Sequence, residues 1–186
     1  PLMERVWVSL FQSVTPRTAG FNTADLTLLS EVGQMLIIIL MLIGGSPGST
    51  AGGMKTTTLA VLVSSALSVF RKKEHTHFFG RRIPDDTIKN AATIFLMYIV
   101  LFLVGGMVIS STEDIPLMTA LFETASAIGT VGLSLGITPD LGLVSHIILI
   151  CLMFLGRVGG LTLIFATLSE KKLNGSKYPQ EKITVG

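Results

Sequence analysis

Gly44-Gly45-Ser46-Pro47-Gly48-Ser49-Thr50-Ala51-Gly52-Gly53 interrupts an apolar stretch that extends from residue 28 to residue 70. As one straight helix, those 43 residues would measure ~64 Å, about twice the ~30 Å hydrocarbon thickness of a membrane. Five glycines and one proline within ten residues cannot sustain a helix, because glycine costs backbone entropy and proline lacks the amide donor. The stretch therefore predicts two helices, residues 28–43 and 56–70, joined by a segment that we call the glycine-rich loop, residues 44–55.

The composition indicates a membrane protein. The chain has 186 residues, of which 49% are hydrophobic and 14% are charged, with a mean hydropathy of +0.67. Soluble domains carry about 25% charged residues. Residues 91–109 form a 19-residue uncharged stretch, close to the ~20 residues that span a bilayer. Because the chain opens at Pro1 on an amphipathic segment without a spanning helix before it, we expect the C-terminal part of a longer protein.

The charge distribution predicts which segments face the cytoplasm. Six of the 14 Lys and Arg residues lie within the linker of residues 71–89, and four more lie in the tail, residues 170–186. Loops rich in Lys and Arg stay on the cytoplasmic side, so both segments are predicted to lie inside, with the protein in the plasma membrane and in contact with lipid. Because these charges flank apolar spans, no nucleic-acid partner is expected.

Two cytoplasmic segments require an even number of crossings between them. Residues 91–109 would take the chain out, and the apolar run of residues 141–168 would bring it back. Between them, residues 115–128 predict a short helix, with Asp114 as N-cap and Pro116 in the first turn, where proline is tolerated. These 14 residues are too few to cross a membrane. The short helix and the Gly129-Thr130-Val131-Gly132 sequence after it predict a re-entrant pore loop.

A repeat at a spacing of 112 residues gives the first part of the chain the same plan. In this register, residues 18–48 match residues 130–160 with nine identities in 31 positions. Residues 2–15 are predicted as the matching short helix, because Pro16 disfavours helix in the residue before it. Arg157, the one formal charge in residues 141–168, falls level with Gly45. A charge inside a bilayer costs at least ~3 kcal/mol on insertion scales, so we interpret Arg157 as a buried cation that faces the broken helix as part of a gate.

Two Thr-x-Gly sequences follow the short helices, and each, with the next two residues, is a candidate filter segment. The segments comprise Thr18, Ala19, Gly20, Phe21 and Asn22 in the first, and Thr130, Val131, Gly132, Leu133 and Ser134 in the second. Backbone carbonyls of an extended segment can replace the hydration shell of potassium, and glycine permits the dihedral angles this needs. The duplicated pattern predicts a selectivity filter. The alternative is that these glycines only allow close helix packing.

Acidic residues are predicted on the outer side, where they either raise the local cation concentration or are ordinary solvated charges. They are Asp25, Glu113, Asp114 and Asp140. Glu123, within the second short helix, is expected to have a hydrogen-bond partner there and not to bind the ion directly.

The glycine-rich loop is predicted to be a flexible plug below the filter. The candidate gate residues are Gly44, Gly45, Ser46, Pro47, Gly48, Ser49, Thr50, Ala51, Gly52, Gly53, Lys55 and Arg157. Lys55 is expected at the cytoplasmic end of the loop, beside Arg157, where positive charge raises the barrier to cations. Arg157 would hold the loop through backbone carbonyls, since a guanidinium offers five donors; the alternative is a structural tie without a gating role. A phosphate-binding Walker loop is not completed, because Met54 separates the glycine from Lys55.

Catalysis and a resident metal have no support in the sequence. There is no activated nucleophile or enclosed carboxylate pair, and nothing near His75 and His77 completes a metal site. We expect no enzyme activity and no cofactor in this chain.

These motifs resemble the Trk/Ktr/HKT superfamily of potassium transporters, most closely the C-terminal half of its KtrB-type membrane subunits. The resemblance covers essentially the whole chain and is carried by residues 13–23, 44–58, 129–134 and 156–160. It implies repeated membrane helix–pore helix–filter–membrane helix units around a central pore. Residues 1–70 would be the third unit without its first membrane helix, and residues 90–169 would be the fourth. It also implies that the glycine-rich loop is the intramembrane gating loop and that Arg157 is the arginine facing it.

The resemblance further implies partners and an ion. It implies a homodimer of pore subunits, with residues 178–186 packed at the dimer interface, on a cytosolic ring of RCK-type regulators that bind nucleotide. The transported ion would be potassium, and sodium dependence is implied by the family alone. The chain is thus predicted to be an all-α membrane protein with a potassium-channel-like pore for potassium uptake. The alternatives are a sodium-coupled alternating-access carrier with broken helices and a membrane scaffold that transports nothing.

Overall fold

Helices dominate the part of the chain that the computed structural model describes, residues 2–73 and 75–159. They are α1 Leu2–Val14, α2 Glu31–Leu42, α3 Thr56–Phe70, α4 Asp85–Glu113, α5 Leu117–Gly129 and α6 Leu143–Val158. An antiparallel pair of two-residue strands, β1 His77–Phe78 and β2 Arg81–Arg82, lies between α3 and α4. The predicted helical fold is confirmed, while the tail of residues 170–186 lies outside the described residues.

Helix α5 forms the centre of the fold, and α2, α4 and α6 pack around it. Residues 122–129 of α5 are all buried, as expected of a helix with no solvent face. Gly105 and Gly106 of α4 allow the close approach, because a Cβ at Gly106 would lie 2.5 Å from Cδ2 of Leu121. Glycine within a helix costs about 0.5–1 kcal/mol relative to alanine, and here the close contact of α4 with α5 offsets that cost.

The predicted break between two helices is confirmed, since the glycine-rich loop is non-helical throughout. Helix α3 has the predicted bounds. Helix α2 begins at Glu31 and not at residue 28, because the Ser30 hydroxyl accepts the Gly33 N–H and caps the helix. At 1.5 Å per residue, α2 and α3 are roughly 18 and 23 Å long, and each is shorter than a ~30 Å hydrocarbon layer.

Helix α4, with 29 residues, is the one described helix that is long and apolar enough to cross a membrane; α2, α3, α5 and α6 are shorter apolar helices. It begins inside the predicted linker of residues 71–89, because Asp85 and Asp86 place negative charge in its first turn, where the helix dipole favours it. It ends at Asp114, whose left-handed backbone (φ 54°) closes the helix. The prediction of Asp114 as an N-cap is therefore wrong, and Pro116 occupies that position of α5.

Helix α6 is shorter than the apolar run of residues 141–168 predicts. It ends at Val158, and Gly159 follows with φ 83° and ψ 138°, a conformation that stops a helix. The remainder of the predicted span, residues 160–168, lies outside the described residues.

The 112-residue repeat is reproduced in the backbone. The 3-10 turn Leu26–Leu28 corresponds to the turn Thr138–Asp140, and Glu31 at the start of α2 corresponds to Leu143 at the start of α6. The correspondence ends where α2 ends. Helix α6 continues four residues beyond the position that matches Leu42, so one copy of the repeat opens into the loop while the other stays helical.

Candidate functional site

The first candidate filter segment follows α1 through a turn, and hydrogen bonds between backbone groups of residues 15–20 stabilise this turn. Ala19 and Gly20 donate their N–H groups to the Thr15 carbonyl at 3.1 and 3.0 Å. The Thr15 hydroxyl donates to the Phe21 carbonyl at 2.9 Å. Thr18 and Gly20 have φ angles of 67° and 73°, so two of the three Thr-x-Gly residues are left-handed.

The second candidate filter segment is held by Ser126, one turn back in α5. Val131 donates its N–H to the Ser126 carbonyl at 2.9 Å, and Gly132 donates to the Ser126 hydroxyl at 3.1 Å. Thr130 and Gly132 have φ angles of 49° and 93°, so the left-handed residues fall at the same two repeat positions as in the first segment. Alternate left-handed residues break the strand pattern in which successive carbonyls point to opposite sides, and a filter needs carbonyls on one side.

The two candidate filter segments contact each other. The Thr18 hydroxyl donates to the Gly129 carbonyl at 3.4 Å. A Cβ at Gly20 would lie 1.9 Å from the Val131 carbonyl oxygen, which is too close for any side chain. Glycine is therefore required at position 20 both by its positive φ and by this contact.

A buried carboxylate fixes the second segment from behind. Glu123 of α5 is 4% exposed, and its Oε1 accepts from the Ser134 hydroxyl at 2.7 Å and the Leu135 N–H at 2.9 Å. Its Oε2 accepts from the Thr138 hydroxyl at 2.8 Å. These three hydrogen bonds tie residues 134–138 to α5. The expectation that Glu123 has a hydrogen-bond partner is confirmed, with the partners in the loop that follows the helix.

The glycine-rich loop is closed at its base by backbone hydrogen bonds. Gly44 donates to the Met54 carbonyl at 2.8 Å, Met54 to the Leu42 carbonyl at 3.2 Å, and Thr56 to the Gly45 carbonyl at 3.2 Å. The tip, residues 46–50, is exposed. The loop is thus a closed excursion with fixed ends and a tip that other groups must hold.

Two cations hold that tip through three consecutive carbonyls. Lys55 donates from Nζ to the Ala51 carbonyl at 2.7 Å and the Ser49 carbonyl at 3.2 Å. Arg157 donates from Nη1 to the Thr50 carbonyl between them. The expected contact of Arg157 with loop carbonyls is confirmed. Within the described chain the Arg157 side chain is exposed, and it lines a cavity of about 390 Å³ together with Lys55.

The base of the loop lies directly against the second candidate filter segment. A Cβ at Gly52 would lie 2.1 Å from the Thr130 hydroxyl oxygen. That oxygen is buried and has no hydrogen-bond partner in the described part of the chain. A cavity of about 600 Å³ is lined by Thr130, Gly132 and Arg157 among others. One open space therefore connects the candidate filter to the cation that holds the loop.

Two of the acidic residues have structural partners. Asp25 accepts from the Thr27 hydroxyl at 2.6 Å and the Thr27 N–H at 2.9 Å, and these bonds hold the pKa of Asp25 below its usual value. Glu113 accepts from the Gly142 N–H at 2.9 Å and from the Ser145 hydroxyl, which joins the end of α4 to the start of α6. Both carboxylates thus have local structural partners, and Asp25 stays exposed to solvent.

Two further residues fix the position of Arg157: Tyr98, which the sequence did not single out, and Gly156, which belongs to the repeat. The Tyr98 hydroxyl of α4 donates to the Gly156 carbonyl at 3.3 Å. A Cβ at Gly156 would lie 1.9 Å from the Ile128 carbonyl oxygen, so glycine lets α6 contact the backbone of α5 just before Arg157. Gly156 matches Gly44 in the repeat.

Comparison with known proteins agrees with this geometry. A family model described as "TrkH: Cation transport protein" matches residues 1–176. The potassium/sodium uptake protein NtpJ of Enterococcus hirae is 43% identical over 98% of this chain and 42% of its own length. The Ktr system potassium uptake protein B of Bacillus subtilis is 37% identical over 100% of this chain and 41% of its own length. The chain therefore spans about two fifths of the length of these relatives.

A solved structure shares the fold. The potassium transporter TrkH from Vibrio parahaemolyticus superposes with a TM-score of 0.71 at 24% identity. The match covers 85% of this chain and 36% of that one. At this identity the likeness supports the arrangement of helices, and the assignment of roles depends on the geometry above.

Proposed function

The chain belongs to the TrkH family of cation transport proteins, and on this premise we propose that it supplies two pore-forming units of a potassium uptake protein of the plasma membrane. The observation that carries the proposal is the pair of Thr-x-Gly segments. Each follows a short helix, each has left-handed residues at the same two positions, and they contact each other through Thr18 and Gly129. The relatives named for potassium uptake agree with this proposal.

Contact with lipid is supported by the apolar side chains that the outer helices expose. Leu96 of α4 is 63% exposed, Leu36 of α2 is 58% exposed and Phe154 of α6 is 64% exposed. Soluble monomers rarely expose contiguous apolar surfaces on several helices. We propose that these faces contact lipid or neighbouring parts of the membrane protein, with α4 crossing the membrane and α1 and α5 serving as pore helices.

The candidate filter segments would bind the dehydrated cation through backbone carbonyls. Residues 18–22 and 130–134 would contribute two of the walls around the ion, and Glu123 would keep the second wall in place. Carbonyl oxygens have a field strength suited to potassium. The Thr130 hydroxyl, which is buried and has no partner in the described residues, lies between the second segment and Gly52 of the glycine-rich loop.

The glycine-rich loop would act as the gate. Its base lies against Thr130 through Gly52, and the carbonyls of residues 49–51 are bound by Arg157 and Lys55. Two positive charges on the conduction path oppose cation passage while the loop is held. Movement of the loop tip would move the loop out of the conduction path and would break its contacts with Arg157 and Lys55.

The topology and the partners follow from the same proposal. We propose that residues 71–84 lie on the cytoplasmic side, because their basic residues follow the positive-inside rule. Two relatives are named as Ktr system proteins, which supports a multi-subunit system. We propose a homodimer of pore subunits with a cytosolic regulator of the RCK type that binds nucleotide, and sodium as a coupling ion.

The test uses the full-length protein that contains this chain, reconstituted in liposomes, with potassium and sodium flux measured by ion-selective fluorescence. Gly132→Ala places a methyl group in the cavity beside the filter, and Gly136→Ala is the matched control. The two glycines have φ angles of 93° and 94°, and a Cβ at either meets no atom within 4 Å. We expect Gly132→Ala to lower the potassium-to-sodium flux ratio and Gly136→Ala to preserve it. Equal ratios for the two variants would refute the filter assignment.

The interrupted helix formed by α2 and α3 also favours the alternating-access carrier with broken helices. The same liposomes distinguish the two mechanisms by rate. Potassium flux per protein far above enzyme-like turnover, about 10³ per second, supports a pore. A slower flux that saturates with potassium and requires sodium in a fixed ratio supports the carrier.

A further inference from the structure

The linker between α3 and α4 contains a hairpin, residues 76–83, that the proposed transport function does not use. His77 pairs with Arg82 and Phe78 with Arg81. Ile83 donates its N–H to the Thr76 carbonyl at 2.9 Å, and Thr76 is 8% exposed, so the hairpin has a fixed base. It is an ordered element with an exposed tip.

The tip combines aromatic exposure with backbone strain. Phe79 is 92% exposed, and its ring lies 4.7 Å from the ring of Phe78 in an edge-to-face arrangement. Phe79 and Gly80 form the turn with φ angles of 47° and 74°. A bulky side chain in the left-handed region is unusual, and full solvent exposure of an aromatic ring is unfavourable. Phe79 thus combines an unfavourable backbone conformation with an unfavourable exposure of its ring. Both features at one residue indicate that the tip contacts a partner outside the hairpin.

The hairpin lies against the end of α3 and does not extend away from it. His77 lines a small cavity with Ser64, Leu67 and Ser68, which belong to the last two turns of α3. Lys73 donates its N–H to the Ser68 carbonyl at 2.9 Å, which turns the chain back along the helix. The neighbouring helix end is apolar and open, with Val69 72% and Phe70 83% exposed. The hairpin is therefore anchored through His77 beside the exposed apolar end of α3.

Unpaired positive charge surrounds this aromatic tip. Residues 71–89 carry six Lys or Arg and three Asp or Glu, a net charge of +3 with His neutral. The side chains of Arg71, Lys72, Arg81 and Arg82 have no ion-pair partner among the described residues. Aromatic residues prefer the membrane–water interface, and clusters of basic residues beside a membrane helix attract anionic lipid headgroups.

We propose that the hairpin of residues 76–83 is a lipid-binding element, in which Phe78 and Phe79 enter the membrane interface and Arg81 and Arg82 bind the phosphate of an anionic phospholipid. This assignment rests on the proposed membrane location and cytoplasmic orientation of the linker. It goes beyond the transport function, because it couples the position of α3, and with it the glycine-rich loop at the other end of α3, to the headgroup charge of the surrounding leaflet.

The occupant fits the charge and the geometry better than a protein surface does. A hairpin that binds a cytosolic protein would be expected to extend away from the membrane helices. In this hairpin, His77 lies against the last two turns of α3. Each Lys or Arg near an anionic membrane surface contributes on the order of fivefold in affinity. Loss of two arginines should therefore weaken the preference for anionic lipid by roughly 25-fold at low salt, and raised salt should reduce it by screening.

The test is tryptophan quenching in the reconstituted full-length protein with its native tryptophans replaced by phenylalanine. One variant, Phe79→Trp, carries the hairpin reporter. A second variant, Phe95→Trp, at a 37% exposed position of α4, carries the helix reporter, which is the matched probe of membrane insertion. Vesicles contain phosphatidylcholine alone or mixed with phosphatidylglycerol, with bromine on the acyl chains of one lipid at a time. Brominated phosphatidylglycerol should quench the hairpin reporter more than brominated phosphatidylcholine at the same mole fraction.

The arginine variants separate lipid binding from mere proximity. Arg81→Gln with Arg82→Gln should abolish the preference of the hairpin reporter for phosphatidylglycerol and leave the quenching of the helix reporter unchanged. Equal quenching of the hairpin reporter by both lipids, or none, overturns the lipid assignment, while quenching of the helix reporter keeps the membrane proposal intact. Absence of quenching at both positions overturns the membrane proposal itself. Protection of the hairpin reporter that appears only on addition of a cytosolic regulator protein would make the hairpin a protein-docking element and would also overturn the assignment.

Discussion

Replacement of Arg157 by alanine removes the contact between α6 and the tip of the glycine-rich loop. Arg157 donates to the Thr50 carbonyl, and Lys55 donates only to loop carbonyls from the end of the same loop. Arg157 is therefore the described side chain whose hydrogen bond links the loop tip to another helix. If the held loop is the closed state, its loss shifts the equilibrium toward the open state.

The size of the shift follows from the bond that is lost. A hydrogen bond to a charged donor contributes about 1.5–3 kcal/mol, which corresponds to roughly a 10- to 150-fold change in the ratio of open to closed loop. The Arg157 side chain is exposed to its cavity, and solvent weakens such a contact. We therefore expect the lower limit, about a tenfold rise in the open-to-closed ratio.

The assay is potassium flux through the full-length protein in liposomes, with Lys55→Gln as the control. Lys55→Gln removes one positive charge at the same cavity but leaves the contact between α6 and the loop intact. Arg157→Ala should raise flux about tenfold, in proportion to the open-to-closed ratio. Lys55→Gln should raise flux much less, because the bond from α6 to the loop remains. Equal increases would attribute the barrier to charge alone. Flux at or below that of the unchanged protein, with an unchanged unfolding temperature, would refute the gate and favour a structural tie.

Three further predictions follow from the same contacts. Gly20→Ala should lower the unfolding temperature more than Gly132→Ala, because its Cβ would lie 1.9 Å from the Val131 carbonyl oxygen and that of Gly132 meets no atom within 4 Å; equal thermal shifts would contradict the contact between the segments. Gly52→Ala should displace the loop and raise flux, because its Cβ would lie 2.1 Å from the Thr130 hydroxyl. Gly48→Ala at the open tip, where a Cβ meets no atom within 4 Å, should not raise flux. Reversed effects of the two variants would count against the position of the loop. Glu123→Ala should destabilise the protein by about 2 kcal/mol or more, since three buried hydrogen bonds are lost, and should lower potassium selectivity. Glu123→Gln should retain most of both; a loss of stability without a loss of selectivity would separate Glu123 from the filter.

The helices were predictable where the signal was local. The glycine-rich loop and the bounds of α3 follow from glycine, proline and apolar periodicity, and these residues act on the backbone wherever they occur. The positions of the two Thr-x-Gly segments after short helices follow from the repeat. The local sequence does not predict the role of Asp114. An aspartate two residues before a proline is as compatible with the end of one helix as with the start of the next.

The contacts that build the site were less predictable, because they join residues far apart in sequence. Glu123 was expected to be hydrogen-bonded, but nothing local specifies Ser134 and Thr138 as its donors. The hairpin of residues 76–83 was missed because its strands have two residues each, too few for an alternating pattern. The exposure of Arg157 depends on cavities between elements, which no apolar run reveals.

The two copies of the repeat differ most at the place where the proposed gate lies. Gly44 and Gly156 match, and both are needed for close backbone contact: a Cβ would lie 2.0 Å from the Gly52 carbonyl at the first and 1.9 Å from the Ile128 carbonyl at the second. One position later, the first copy has Gly45 and leaves the helix, and the second has Arg157 and remains helical. The same position thus provides the loop in one copy and the cation that binds the loop in the other. If both copies opened into loops, no helix would carry a cation to bind them. If both copies stayed helical, there would be no loop to move. The divergence of the repeat from this position onward is therefore what the proposed gate requires, and exchange of the two residues, Gly45→Arg with Arg157→Gly, should abolish regulated flux.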